Sequence, residues 1–243
     1  MKNHYKSAVI LVVLLLIISF PGAIKAQSSV FNLDTVVTKI VGPGVTYYQF
    51  KDAAGPWSMD LLKVELNNRY ISVEWVKSLD KLAAGREKTS AMSLRKNAVG
   101  HWSVGGVNGD FFNLTTGAPN GIQVRDGELL RIQNPNHPVV SFDADDRFSI
   151  SRPAFSGKLI LNDTVLTING INDVRGNDQL FVYNSYFGGT TGTSMDGSEF
   201  IVHATSGYIV NDTTNVIVDQ VRTGAGNSVL SAGVMVISAS GSV

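Results

Sequence analysis

The chain has 243 residues, with 20 basic and 20 acidic side chains, 24 glycines and no cysteine. Balanced charge argues against nucleic-acid binding, which usually shows a basic face. The lack of cysteine excludes a disulfide scaffold and a lipid-anchored lipoprotein, so a hydrophobic core has to hold the fold.

The first element is a targeting segment. Lys2 and Lys6 precede residues 8–20, an apolar run interrupted only by Ser19. Pro21 and Gly22 end the run, and Ala26 precedes Gln27 at a small-residue cleavage point. The run falls short of the roughly 20 residues that cross a bilayer. Residues 1–26 therefore read as a cleavable signal peptide. Residues 27–243 read as an exported region, secreted or in the periplasm or cell envelope, with no stable membrane anchor after cleavage. Removing Lys2, Lys6 and Lys25 leaves 17 basic against 20 acidic residues, an ordinary soluble surface. A mature region of this length can bury a sizeable core as one domain, or as two small ones.

Beyond the signal the pattern is strands and turns. Residues 61–66 and 70–76 are β-branched-rich runs around Asn67-Asn68-Arg69 and predict a hairpin. A short helix is predicted over 90–98, with Thr89 or Ser90 as cap, Lys96 in its last turn and Gly100 as stop. Residues 122–124 and 129–132 flank Asp126-Gly127, a tight-turn signal. Short apolar runs follow at 139–142, 148–150, 159–161, 165–168, 180–183, 200–202, 208–210, 216–218 and 234–237. The predicted class is α+β and β-rich, with mixed or antiparallel sheets and few helices. No repeat or clear internal boundary divides the chain.

Two stretches have the composition of a site. In the first, Gly105-Gly106-Val107-Asn108-Gly109-Asp110-Phe111-Phe112, glycines permit close approach of a ligand and a carboxylate emerges beside two rings. Asp110 in such an apolar wall suits general acid–base chemistry; the same residues also fit a hairpin with an Asn-Gly turn and two core rings. The second stretch, residues 169–177, surrounds Arg175 with glycine and asparagine. Arg175 is either a phosphate clamp or a solvated loop arginine. Asp143-Ala144-Asp145-Asp146 lacks the spacing of a calcium loop. The four histidines have no zinc-ligand spacing, and no metal or cofactor is expected.

The order of these segments resembles the phosphodiester glycosidase family. The resemblance rests on Gly42-Pro43-Gly44-Val45, the predicted hairpin, the short helix, and Val107-Asn108-Gly109-Asp110-Phe111-Phe112 with Pro119-Asn120-Gly121. It continues through Ile171-Asn172-Asp173-Val174-Arg175, Gln179-Leu180-Phe181-Val182-Tyr183, residues 188–193 and residues 197–202. It implies hydrolysis of a sugar-1-phosphodiester, a carbohydrate substrate whose leaving group is a phosphate monoester. On the matching positions it gives Asp110 an acid/base or water-positioning role, Asn108 hydrogen bonds to sugar or phosphate, and Arg175 the phosphate. Gly109, Phe112, Gly121 and Asn172 become substrate-binding positions. Family members continue into a second half with an Asp-Gly-Gly-Gly-Ser motif, and here only Asp196-Gly197-Ser198 echoes it. The chain is therefore expected to be the front portion of such a domain, within a longer protein. Two alternatives accompany this reading: a truncated chain inactive by itself, or a non-catalytic β module binding cell-envelope glycans through Trp102, Phe111, Phe112, Tyr183, Tyr186 and Phe187.

Overall fold

A computed structural model describes residues 33–52, 55–134, 136–145, 147–208 and 211–242. The signal-peptide segment lies outside the described residues. The fold is β-rich α+β, as the sequence predicts, with fourteen strands and one α-helix among the described residues. Strands β1 (Leu33–Gly42), β2 (Val45–Asp52) and β3 (Ser58–Val64) pair in that order. Contacts divide the described residues into two compact units. The smaller comprises 33–39 and 47–61; within it Tyr47 donates to Asp60 Oδ1 at 2.5 Å, and the rings of Tyr48 and Phe50 stack.

The larger unit comprises 40–46 and 62–242, and its centre is a five-stranded sheet. Its strands are β10 (Gly170–Ile171), β11 (Leu180–Tyr183), β12 (Gly197–Ala204), β13 (Val216–Thr223) and β14 (Met235–Ser240), in the order β10-β11-β14-β12-β13. β14 enters between β11 and β12, antiparallel to both, and only β10–β11 is parallel. Side chains alternate faces along a strand, which sorts this core into two layers. Phe181, Tyr183, Leu230 and Val236 pack on one side with Phe187 and Ile201. Leu180, Val202 and Ile237 pack on the other, covered in part by Leu159, Leu166 and Ile168.

Three two-stranded ribbons complete the strands. β4 (Gln123–Arg125) pairs with β5 (Glu128–Arg131), β6 (Val139–Phe142) with β7 (Phe148–Ser151), and β8 (Gly157–Leu161) with β9 (Thr164–Ile168). Asp126 (φ 50°) and Gly127 (φ 78°) form the β4–β5 turn, the left-handed pair that a two-residue hairpin loop requires.

The structure departs from three sequence expectations in this unit. Residues 71–77 form no strand. The turn at 67–69 is present, but the chain beyond it is drawn to Lys77 and Ser78, whose polar ends reach Gly117 and Gly85 instead of a ladder beside β3. Helix α1 spans Thr89–Lys96 and has no side-chain cap; Thr89 is its first residue, and its hydroxyl is spent on Asn108. Of the strand expected at 208–210, Tyr208 lies outside any strand and the other two residues lie outside the described set.

Candidate functional site

The Asp110 segment is a compact loop closed on itself. Phe112 and Pro119 form an antiparallel bridge, and Asn120 N–H donates to Phe111 C=O at 2.9 Å. Deeper in the loop, Asn113 N–H donates to Ala118 C=O and Gly117 N–H to Asn113 C=O, each at 2.8 Å. At its mouth the carboxylate of Asp110 accepts from the Gly121 amide at 2.9 Å. A Cβ on Gly121 would press on Asp110 Oδ2 at 3.1 Å, so the glycine allows the backbone to reach that carboxylate. The segment is neither a hairpin around an Asn-Gly turn nor an apolar wall. Residues 105–109 form no strand, and Phe111 is 79% exposed and Phe112 39% exposed. Exposed rings here fit a surface that meets a ligand as well as they fit an unpacked loop. Asn108 accepts from Thr89, and nothing stands within 4 Å of the Cβ position of Gly109.

The structure brings to Asp110 a residue that the sequence did not single out. Arg131, at the end of β5, lies within electrostatic reach of both Asp110 and Asp173. Burial pulls its guanidinium below the usual range, while the fields of Asp173 and Asp110 act in the opposite direction. Its Nη2 donates to Gln133 Oε1 at 2.5 Å, and the Gln133 amide donates in turn to Asp173. Asp173 also accepts from the Val174 amide at 2.8 Å. Asn134 ties the same corner together by donating to Asn120 C=O at 2.7 Å. Among the described residues, Arg131 Nε is buried with no hydrogen-bond partner, and so is Oε1 of Gln123, the residue opposite it across the ribbon. Buried polar groups without partners are rare in folded proteins.

Arg175 stands elsewhere. Its side chain is 2% exposed; Nη1 donates to Ser238 Oγ at 2.9 Å and Ala239 C=O at 2.7 Å, and Nη2 pairs with Asp196 at 3.0 Å. A guanidinium occupied in this way ties the loop before β11 to β14 and is not open to a phosphate. Asn172, fully buried, donates to Leu130 C=O and Asn184 Oδ1 and accepts from the Asn184 amide. It is a brace between β5 and β11, not a substrate contact. The second site stretch therefore supplies Asp173 to the Asp110 corner, while Arg175 and Asn172 secure the scaffold. Of the expected sugar-stacking aromatics, Tyr183 and Phe187 pack in the core with ring centroids 5.1 Å apart, and burial pushes the Tyr183 hydroxyl up to about 12. Tyr186 accepts from Arg125, and Trp102 and Phe111 are exposed.

Arg131 escaped the sequence reading because β5 is a plain Glu-Leu-Leu-Arg strand, and an arginine at a strand end carries no local signature. Its placement arises from the bulge between Gln123 and Val124, which sets Arg131 opposite Gln123. No group of three or more His, Cys, Asp or Glu residues that could hold a metal ion occurs among the described residues.

The fold and this corner define a β-rich α+β protein with a polar, glycine-lined loop site. Comparison with solved structures shows a likeness to a crystal structure of a hypothetical protein from Synechocystis, with a TM-score of 0.60 and 14% identity. The match covers 86% of this chain and 37% of that one, so the chain spans well under half the length of its structural neighbour. At that identity the likeness shows the fold alone. No family model matches the chain, and no curated protein matches it.

Proposed function

We propose that the chain contributes to an exported hydrolase that cleaves the glycosidic bond of sugar-1-phosphodiesters. The observation that carries this reading is Arg131, within electrostatic reach of Asp110 and Asp173 and with a buried guanidinium nitrogen that has no partner among the described residues. Arg131 replaces Arg175 as the phosphate partner, since a guanidinium offers paired donors to a phosphate's oxygens. Asp110, oriented by the Gly121 amide, is the carboxylate that positions water or moves a proton at the anomeric centre. The charged start and apolar run of residues 1–20 support export, and no helix among the described residues is long and apolar enough to cross a membrane.

In the reaction, water adds its hydroxyl to the anomeric carbon, the bond from that carbon to the phosphate oxygen breaks, and the phosphate monoester leaves with the balancing proton. The test is incubation of the full-length protein with the methyl diester of N-acetylglucosamine-1-phosphate in ¹⁸O-water. The reading requires free sugar carrying the label and unlabelled methyl phosphate. Label in the phosphate, or no sugar released, contradicts it. The exposure of Trp102 and Phe111 favours a second reading, a glycan-binding module; binding of envelope glycans recovered intact would be its signature.

A further inference from the structure

Lys77 is a buried lysine that the chemistry above does not use. The residue is 8% exposed, and its ammonium donates to Gly117 C=O at 2.8 Å, at the tip of the Asp110 loop. Burying a cationic end is costly, and an ammonium is retained inside a protein where its hydrogen bond holds something in place. The surroundings show what is held. Gly85 N–H donates to Thr116 C=O at 2.9 Å, and Ser78 Oγ donates to Gly85 C=O at 3.0 Å. Gly117 has φ 74°, and a Cβ there would collide with the Gly85 carbonyl, so the two loops meet backbone to backbone.

The far side of this staple is anchored to the scaffold. Leu82 N–H donates to Tyr186 C=O at 2.8 Å, and Lys81 donates to Ser185 C=O. Arg95 pairs with Asp80 and Glu87 and also donates to Lys77 C=O. The charged groups around Lys77 are thus Glu87, whose field favours its ammonium form, together with Arg95 and Asp80 beyond it. From Gly117 the hydrogen bonds run back through Asn113 and Ala118, and then Phe111 and Asn120, the residue that precedes the Gly121 amide orienting Asp110.

We propose that Lys77 is a positioning residue for Asp110: its ammonium fixes the tip of the 113–118 turn, and the turn fixes the carboxylate at the mouth. The functional weight of this arrangement rests on the phosphodiester reading, but the arrangement can be tested without turnover. Burial lowers the affinity of the Lys77 amine for its proton, with Glu87 opposing. The charge-assisted bond to Gly117 is therefore lost at a pH below the ordinary lysine range.

The experiment is amide hydrogen exchange on the full chain for wild type, Lys77→Met and Lys77→Arg. In Lys77→Met the amides of Asn113, Gly117, Asn120 and Gly121 should exchange about ten- to a hundredfold faster, the range expected for losing a hydrogen bond to a charged group. Amides of β12 and β14 should hold their protection, and Lys77→Arg should restore part of that of the loop. Wild type raised stepwise in pH provides the same readout without substitution, as a loss of protection confined to the loop after correction for intrinsic exchange. Unchanged loop exchange in Lys77→Met, or loss spread evenly over the central sheet, overturns the proposal. If wild type releases no sugar while the loop responds as stated, the phosphodiester reading fails and the positioning role stands.

Discussion

Glu199, fully buried, and Arg131, half-buried with its Nε out of water, are ionic groups of the larger unit that are treated in opposite ways. Glu199, on β12, is fully buried, and each of its oxygens is occupied. Thr191, Thr193 and Ser238 hydroxyls donate to Oε1 at 2.8, 2.6 and 3.1 Å, and the Ser228 amide donates to Oε2 at 2.9 Å. Ser238 also accepts from Arg175, and Ser228 from Arg222, so two cations reach the carboxylate through hydroxyls. Burial alone would raise the carboxyl's affinity for a proton; the hydrogen bonds from Ser228, Thr193 and Thr191 outweigh it and hold the group below its ordinary range. Arg131 has two carboxylates in electrostatic reach, a hydrogen bond from Nη2 to Gln133, and a buried Nε with no partner among the described residues. A closed set of partners marks a charge that holds strands together. The incomplete set at Arg131 is what the phosphodiester proposal builds on.

The largest effect that would break this comparison is on stability. Glu199→Ala leaves several buried donors facing a cavity, and it should cost about 3 kcal/mol or more. In a chain of this size that lowers Tm by roughly 6–12 °C, measured by calorimetry. Arg131→Met should do the opposite: Tm unchanged or raised, because a buried unpaired donor is removed, while sugar release falls about a hundredfold. Asp110→Asn should likewise lower the rate about a hundredfold, with the melt preserved. A loss of Tm in either variant would mean that the corner is scaffold and not site.

Acid sharpens the contrast further. The folded-state affinity of Glu199 for a proton is lowered relative to the unfolded chain. Its contribution to stability is therefore complete above the unfolded carboxylate range and is lost as pH falls through the folded value. Wild-type Tm should drop on acidification by more than that of Glu199→Gln, measured across the same pH series. The smallest effect concerns the relay hydroxyl: Ser238→Ala should cost about 1 kcal/mol, read from denaturant midpoints.

Much of the fold was legible because its signals are local. Asp126-Gly127 dictates a tight hairpin whatever surrounds it, and the apolar runs at 139–142, 148–150, 159–161 and 180–183 each became strands. The order β11-β14-β12 was not legible, since inserting the last strand between two earlier ones depends on long-range pairing. Residues 71–77 show why composition misleads: a β-rich run failed to pair once Lys77 and Ser78 were drawn into the 85 and 117 turns. The site divides in the same way. Asp110 and Gly121 were visible in a glycine-rich motif, and their hydrogen bond is a short-range consequence of it. Arg131 arrives from another ribbon, and Arg175, the more conspicuous arginine by sequence, is consumed by Ser238, Ala239 and Asp196.

The most direct test of the central claim runs full-length wild type and Arg131→Met side by side against the methyl diester of N-acetylglucosamine-1-phosphate, with Tm measured on the same samples. Sugar released by wild type, and about a hundredfold less by the variant at equal or higher Tm, is the predicted result. No release by wild type, or equal release by both, would contradict it.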